Sequence, residues 1–118
     1  RRGAQFMAII SNDGWWGDTP GYKHLFTISR LRAIEHRRAI ARSANTGMSG
    51  FISARGDIGE TLGWEKRGVI SAAVPLNSEL TFYTRYGDYL GRISEYLTLL
   101  CVLYYIAYRV KRKNYLVK

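Results

Sequence analysis

The residues able to do covalent or metal chemistry in this 118-residue chain are few: one thiol, Cys101, and two imidazoles, His24 and His36. A cysteine attacks as its thiolate and needs polar, electropositive surroundings. Cys101 instead lies midway through an apolar run, residues 93–108, and reads as inert. The two histidines are 12 residues apart, with no cysteine or serine–acid pair at a recognisable spacing, so neither a triad nor a metal centre assembles. His24 alone fits a hydrogen-bonding group near a helix start better than a catalyst. No complete catalytic constellation can be built from these residues.

The densest stretch is Asn12-Asp13-Gly14-Trp15-Trp16-Gly17. Two adjacent tryptophans in a glycine-rich loop are costly to expose, so something must cover them. Either one tops the core and the other packs on a neighbouring loop, or the loop lines a pocket for an apolar or acyl substrate, with Asn12 and Asp13 fixing the strand end. Arg55-Gly56-Asp57 spells an adhesion tripeptide but sits where a hairpin turn is expected, which makes it a coincidence of turn residues. Arg30, Arg32, Arg37 and Arg38 are interleaved with Leu31, Ile34 and Glu35 and read as a solvated helix face, with Glu35 able to pair with Arg32 or Arg38.

Composition bounds what can hold these residues in place. At 13.5 kDa, with 47% hydrophobic and 23% charged residues and two prolines, the chain is one domain or less and is neither disordered nor low in complexity. One cysteine excludes an internal disulfide. The formal charge of +9 is concentrated: the last ten residues hold five of the eighteen basic groups and no acid, leaving 13 basic against 9 acidic residues in the rest. A basic tail after an apolar run points to a membrane face rather than to nucleic acid.

Residues 5–11 form an apolar run closed by Asn12-Asp13-Gly14, the pattern of a strand buried on both faces. From about Tyr22 a helical rhythm runs for some four turns. Strands follow at 39–43 and 48–54, a tight turn at 55–59, and a further strand at 67–74 ended by Pro75. The order is β-α-β-β-β, an α/β piece that enters its first strand at once and reads as cut from a longer polypeptide. Residues 81–90 are tyrosine-rich and juxtamembrane in character. Sixteen apolar-rich residues, 93–108, span about 24 Å as a helix, against a hydrocarbon core of about 30 Å. Tyr86, Tyr89 and Tyr108 stand at its ends as an interfacial belt, Arg92 can snorkel, and the basic residues beyond give a positive-inside signal. A transmembrane helix at 91–109 with a basic cytoplasmic tail at 110–118 is the expectation; an amphipathic helix packed on a soluble core is the rival.

The run from Ile10 to Gly17, His24, Arg32-Ala33-Ile34-Glu35, Arg42, Asn45-Thr46-Gly47, Ser49 and the Gly56 turn together resemble the C-terminal half of the carbon–nitrogen hydrolase (nitrilase) superfamily. Thr81-Phe82-Tyr83-Thr84-Arg85-Tyr86-Gly87-Asp88, followed at once by an apolar helix and a basic tail, resembles the bacterial apolipoprotein N-acyltransferases. The resemblance implies the second half of a nitrilase-like α-β-β-α sandwich over residues 1–80, followed by one C-terminal transmembrane helix. It implies transfer of an acyl chain from a phospholipid to the N-terminal amine of a diacylglyceryl-cysteine lipoprotein, through a thioester on a cysteine, with a glutamate base and a lysine at the oxyanion. In the family those three groups precede the opening strand of this chain, so no catalytic residue is carried over, and the 118 residues alone are expected to be inactive.

What the resemblance does carry over is an active-site loop at Asn12, Asp13, Trp15 and Trp16, with Gly14 and Trp16 departing from the small and phenylalanine residues common there. It also makes His24 substrate-proximal and gives Glu35, Arg42 and Asn45 framework positions. No cofactor, metal or nucleic acid is implied. The partners are the phospholipid donor, the lipoprotein acceptor and the membrane, with the folded part on the periplasmic side of a bacterial inner membrane and the C-terminus in the cytoplasm. A soluble nitrilase-type amidase and a small membrane-tethered lipid-binding module are the competing readings.

Overall fold

The computed structural model describes residues 3–116. It contains a strand β1 (Met7–Ser11), a 3-10 turn (Gly14–Trp16), a helix α1 (Pro20–His36) and strands β2 (Ile40–Ala44), β3 (Ser49–Ile52) and β4 (Ile58–Leu62). Helices α2 (Phe82–Tyr86) and α3 (Tyr89–Leu116) follow. Two compact units divide the chain, one ending at Arg85 and the other beginning at Tyr86.

The first unit is a mixed four-stranded sheet in the order β1-β2-β3-β4. β1 and β2 run parallel, Met7 opposite Ile40 through Ser11 opposite Ala44, so their connection must cross over, and α1 is that crossover. β2–β3 and β3–β4 are antiparallel neighbours. α1 begins at Pro20, whose fixed φ suits a first helical position, and the Thr19 hydroxyl caps it by accepting from the Gly21 N–H at 3.3 Å. It ends in a Schellman arrangement. Arg37 takes the left-handed conformation (φ 49°), its N–H donates to Ile34 O, and Arg38 N–H donates to Ala33 O.

Tyr22, Phe26, Ser29 and Ala33 recur at helical spacing as the buried face of α1. Phe26 and Ala33 form the core with Ile40 and Ile52, and Met7, Ile9 and Met48 pack against it. The opposite face of the sheet is open. Ile10 is 92% exposed there, and Ala8, Ile10, Ala41, Phe51 and Val69 line a groove of about 630 Å³.

Four expectations need correction. β1 is buried on one face only: Ala8 and Ile10 are exposed, where its unbroken apolar run suggests a strand buried on both faces. Residues 67–74 are not a strand; they run without regular structure beside the open sheet face, and Val69 is 95% exposed. Among the described residues no strand pairs with this segment, and an apolar β-prone sequence without a neighbour has no ladder to join. The fourth strand is instead Ile58–Leu62, whose first two residues fall within the turn expected at 55–59. The turn is shorter because Ser53 closes it early: Ser53 N–H donates to Asp57 O, and its hydroxyl accepts from Arg55 N–H and Asp57 N–H. The arginines are not all on a solvated face. Arg38 is buried, donating to Ala4 O, His36 O and Arg37 O, and Arg30 donates to Gly56 O. Glu35 therefore pairs with Arg32, at 2.6 Å, and not with Arg38.

In the second unit α3 runs well beyond the apolar stretch that announced it. Asp88 starts it by accepting from Gly91 N–H at 2.9 Å, and the basic residues continue it, Arg109 donating to the Tyr105 hydroxyl one turn back. Its segment Tyr89–Arg112 is long and apolar enough to cross a membrane, and none of its most apolar window is buried.

The hairpin offers a test of this geometry. Gly56 has φ +88°, and an added Cβ would lie 2.7 Å from Ile34 Cδ1. Gly56→Ala should therefore lower the stability of the sheet unit by about 1–3 kcal/mol in urea unfolding. An unchanged midpoint would contradict the positive φ.

Candidate functional site

Parallel pairing sets β1 and β2 side by side with their carboxyl ends together, so the loop after each leaves from the same end of the sheet. In open α/β sheets this is the end at which ligands bind. The loop after β1 is Asn12 to Trp16, and the loop after β2 is Asn45-Thr46-Gly47.

Beneath them lies the one fully buried carboxylate among the described residues, Asp13. Arg42 rises from β2 to meet it, its Nη2 standing 3.0 and 2.9 Å from the two carboxylate oxygens. The remaining guanidinium nitrogens are also engaged: Nη1 donates to Ser29 Oγ on α1 at 3.1 Å, and Nε to Met48 O before β3 at 3.3 Å. The Ser11 hydroxyl donates to Asp13 as well. A charge withdrawn from water is tolerable only when its partners are complete, and here Ser29, Met48 and Ser11 complete the pair. Gly47 passes so close that a Cβ there would overlap the Asp13 carboxylate.

Asn45 joins the two loops from above. Its Oδ1 accepts from Asp13 N–H at 3.0 Å and from Thr46 N–H at 2.8 Å, and its Nδ2 donates to Asn12 Oδ1 at 2.7 Å. Asn12 Oδ1 also accepts from Gly14 N–H, and Trp16 N–H donates to Asp13 O. Neither tryptophan tops the core. Trp15 is 86% exposed, and Trp16 is half exposed with its ring over Gly21.

Asn12, Asp13, Arg42 and Asn45 are thus brought together, with Trp15 and Trp16 on the loop they hold. His24 is not with them: it is exposed, two residues beyond Tyr22, on the face of α1 opposite the buried one. Glu35 is at the far end of α1, paired with Arg32. Tyr86, Tyr89, Arg92 and Tyr108 belong to the second unit and are exposed, as is Cys101. Among the described residues no three metal-ligating side chains cluster.

Two polar groups escaped the sequence reading. Ser29 is one, a small hydroxyl on the otherwise apolar stripe Tyr22–Phe26–Ser29–Ala33; that break in the stripe was the available signal. His36 is the other, its Nδ1 2.9 Å from Thr84 Oγ1, while Thr81 donates to Glu35 O; no local pattern marks contacts 46 to 48 residues apart.

The buried pair makes a sharp prediction. Arg42→Met leaves the Asp13 charge without its partner and should cost about 3–5 kcal/mol. Adding Asp13→Asn should recover part of that loss, a non-additivity that chemical denaturation of the single and double variants would measure.

Residues 1–80 match the family model described as carbon-nitrogen hydrolase. The chain is 47% identical over 88 residues to a Chlorobaculum tepidum protein named apolipoprotein N-acyltransferase, covering 75% of this chain and 16% of that relative. Identity is 43% over 72 residues to one of the same name from Rhizobium meliloti, covering 61% of this chain and 14% of the relative. For one from Bordetella bronchiseptica the values are 40% over 88 residues, 75% and 16%. The chain thus spans about a sixth of the length of these relatives. By the match across its sheet, crossover helix and both loops, the chain belongs to the carbon–nitrogen hydrolase family.

Proposed function

We propose that this chain is the C-terminal part of an apolipoprotein N-acyltransferase, which moves an acyl chain from a phospholipid to the N-terminal amine of a diacylglyceryl-cysteine lipoprotein. The similarity to relatives of that name, 47% over 88 residues in one, carries the reading. A segment long and apolar enough to cross a membrane, immediately after the family domain, supports a lipid-embedded enzyme over a soluble amidase.

On this reading the chemistry is shared between segments. A cysteine thiolate upstream takes the acyl group from the phospholipid ester as a thioester, releasing the deacylated lipid, and the lipoprotein amine then displaces the thiolate. The present chain supplies the loop Asn12–Trp16 beside that site. Trp15, largely exposed, offers an apolar surface to an acyl chain. Glu35, Arg42 and Asn45 are framework. The open sheet face receives the second sheet of an α-β-β-α sandwich; Ala8, Ile10, Ala41 and Phe51 give it the apolar character that such packing requires. α3 spans a bacterial inner membrane with the sheet unit on the periplasmic side and the basic end in the cytoplasm, in keeping with the charge at Arg109, Lys111 and Arg112. Tyr86, Tyr89, Arg92 and Tyr108 then lie at the two interfaces.

Two measurements test this. The 118 residues alone should show no lipoprotein N-acylation, and turnover by them would overturn the division of the active site. Expressed with a tag in bacteria, the chain should stay with the membrane fraction after alkaline extraction; release into the supernatant would favour the amidase.

A further inference from the structure

We propose that Asn45 is a positioning residue whose carboxamide sets the direction in which the Trp15 loop leaves the sheet. The inference rests on the reading of that loop as part of an acyl-transfer site. Asn45 is exposed and lies beyond the end of β2, so burial does not account for its bonds. Yet both ends of its amide reach across to the other loop. Oδ1 accepts from the main chain of Asp13, and Nδ2 donates to the side chain of Asn12. Its own N–H donates to Ser11 O at 3.3 Å, which fixes the amide's starting point against the last residue of β1.

The consequence falls on Asn12. Its Oδ1 is held by two donors, Asn45 Nδ2 and Gly14 N–H, so the carboxamide has one orientation and its own NH₂ faces away from both. An exposed, oriented amide donor beside an exposed tryptophan is a pairing that suits a substrate with one polar carbonyl and one long apolar chain, an acyl ester or thioester. Asn45 acts through Asn12 and through the main chain of Asp13. Arg42 and Asp13 anchor the loop below, and Asn45 sets its angle above.

The test uses the full-length enzyme that carries this segment, labelled with 5-fluorotryptophan, with the resonances of residues 15, 16 and 64 assigned by single replacement. In Asn45→Ala, and separately in Asn12→Ala, the Trp15 resonance should shift or broaden while that of Trp64 stays. The double variant should look like either single one. Asn45→Asp, which keeps the acceptor and loses the donor, should show a partial effect. Acyl transfer to a diacylglyceryl peptide should fall by about tenfold to a hundredfold in kcat/KM, the scale of a misplaced binding group, with the melting temperature held. An unmoved Trp15 resonance in both single variants overturns the proposal, as does a loss of activity that only tracks the fraction unfolded. A moved resonance with normal transfer upholds the tie between the loops and overturns the active-site reading of the Trp15 loop.

Discussion

The folded unit is organised around the contact between Asp13 and Arg42. Few interactions in a small sheet reach so many elements: the carboxylate belongs to the loop after β1, and the guanidinium to β2. Its other nitrogens reach α1 through Ser29 and the entry to β3 through Met48. A buried ion pair adds little net stability over well-packed apolar groups, because desolvation offsets most of the Coulomb attraction. Geometry is what it adds. An apolar pair could fill the same volume with the loop at many angles, whereas a guanidinium with all three nitrogens engaged fixes where the carboxylate, and so the main chain of residue 13, must stand.

This constraint also explains why the loops meet. A crossover helix makes β1 and β2 parallel, and parallel strands deliver both following loops to one end. An antiparallel pair would have put Asn12 and Asn45 at opposite ends of the sheet. The site is therefore a product of topology first and of side chains second, which is why residues 33 positions apart can share a hydrogen bond of 2.7 Å.

What the sequence made legible follows from the range of each signal. β1, α1, β2 and β3 were readable because their apolar periodicities and turn residues are local. β4 was obscured: Ile58-Gly59-Glu60-Thr61-Leu62 is polar and poor in strand formers, and its pairing with β3 decides its structure. Residues 67–74 erred the other way, a strand-like composition that lacks a neighbouring strand among the described residues. Asp13 was visible as a strand-end residue, but the partnership with Arg42 depends on register, which no local spacing encodes. Arg38 departs from its sequence pattern for a related reason. Its position after Arg37 looks like helix surface, and the left-handed turn at Arg37 redirects it under the sheet end toward Ala4.

The two surfaces left apolar complete the physical account. The sheet unit covers one face with α1 and leaves Ile10 and Val69 almost wholly exposed on the other, while α3 presents leucine, isoleucine and tyrosine all round. Hydrophobic area of this extent has a free-energy cost in water of about 25 cal/mol per Å², so neither surface is at its minimum when bare. The remedies differ in kind. A sheet face is flat and corrugated and is best filled by the side chains of another sheet at about 10 Å. A helix apolar on every side needs no matching shape, and hydrocarbon satisfies it because all its backbone groups bond internally. The open sheet face thus has the shape of a protein contact surface, whereas α3 has the length and composition that suit hydrocarbon.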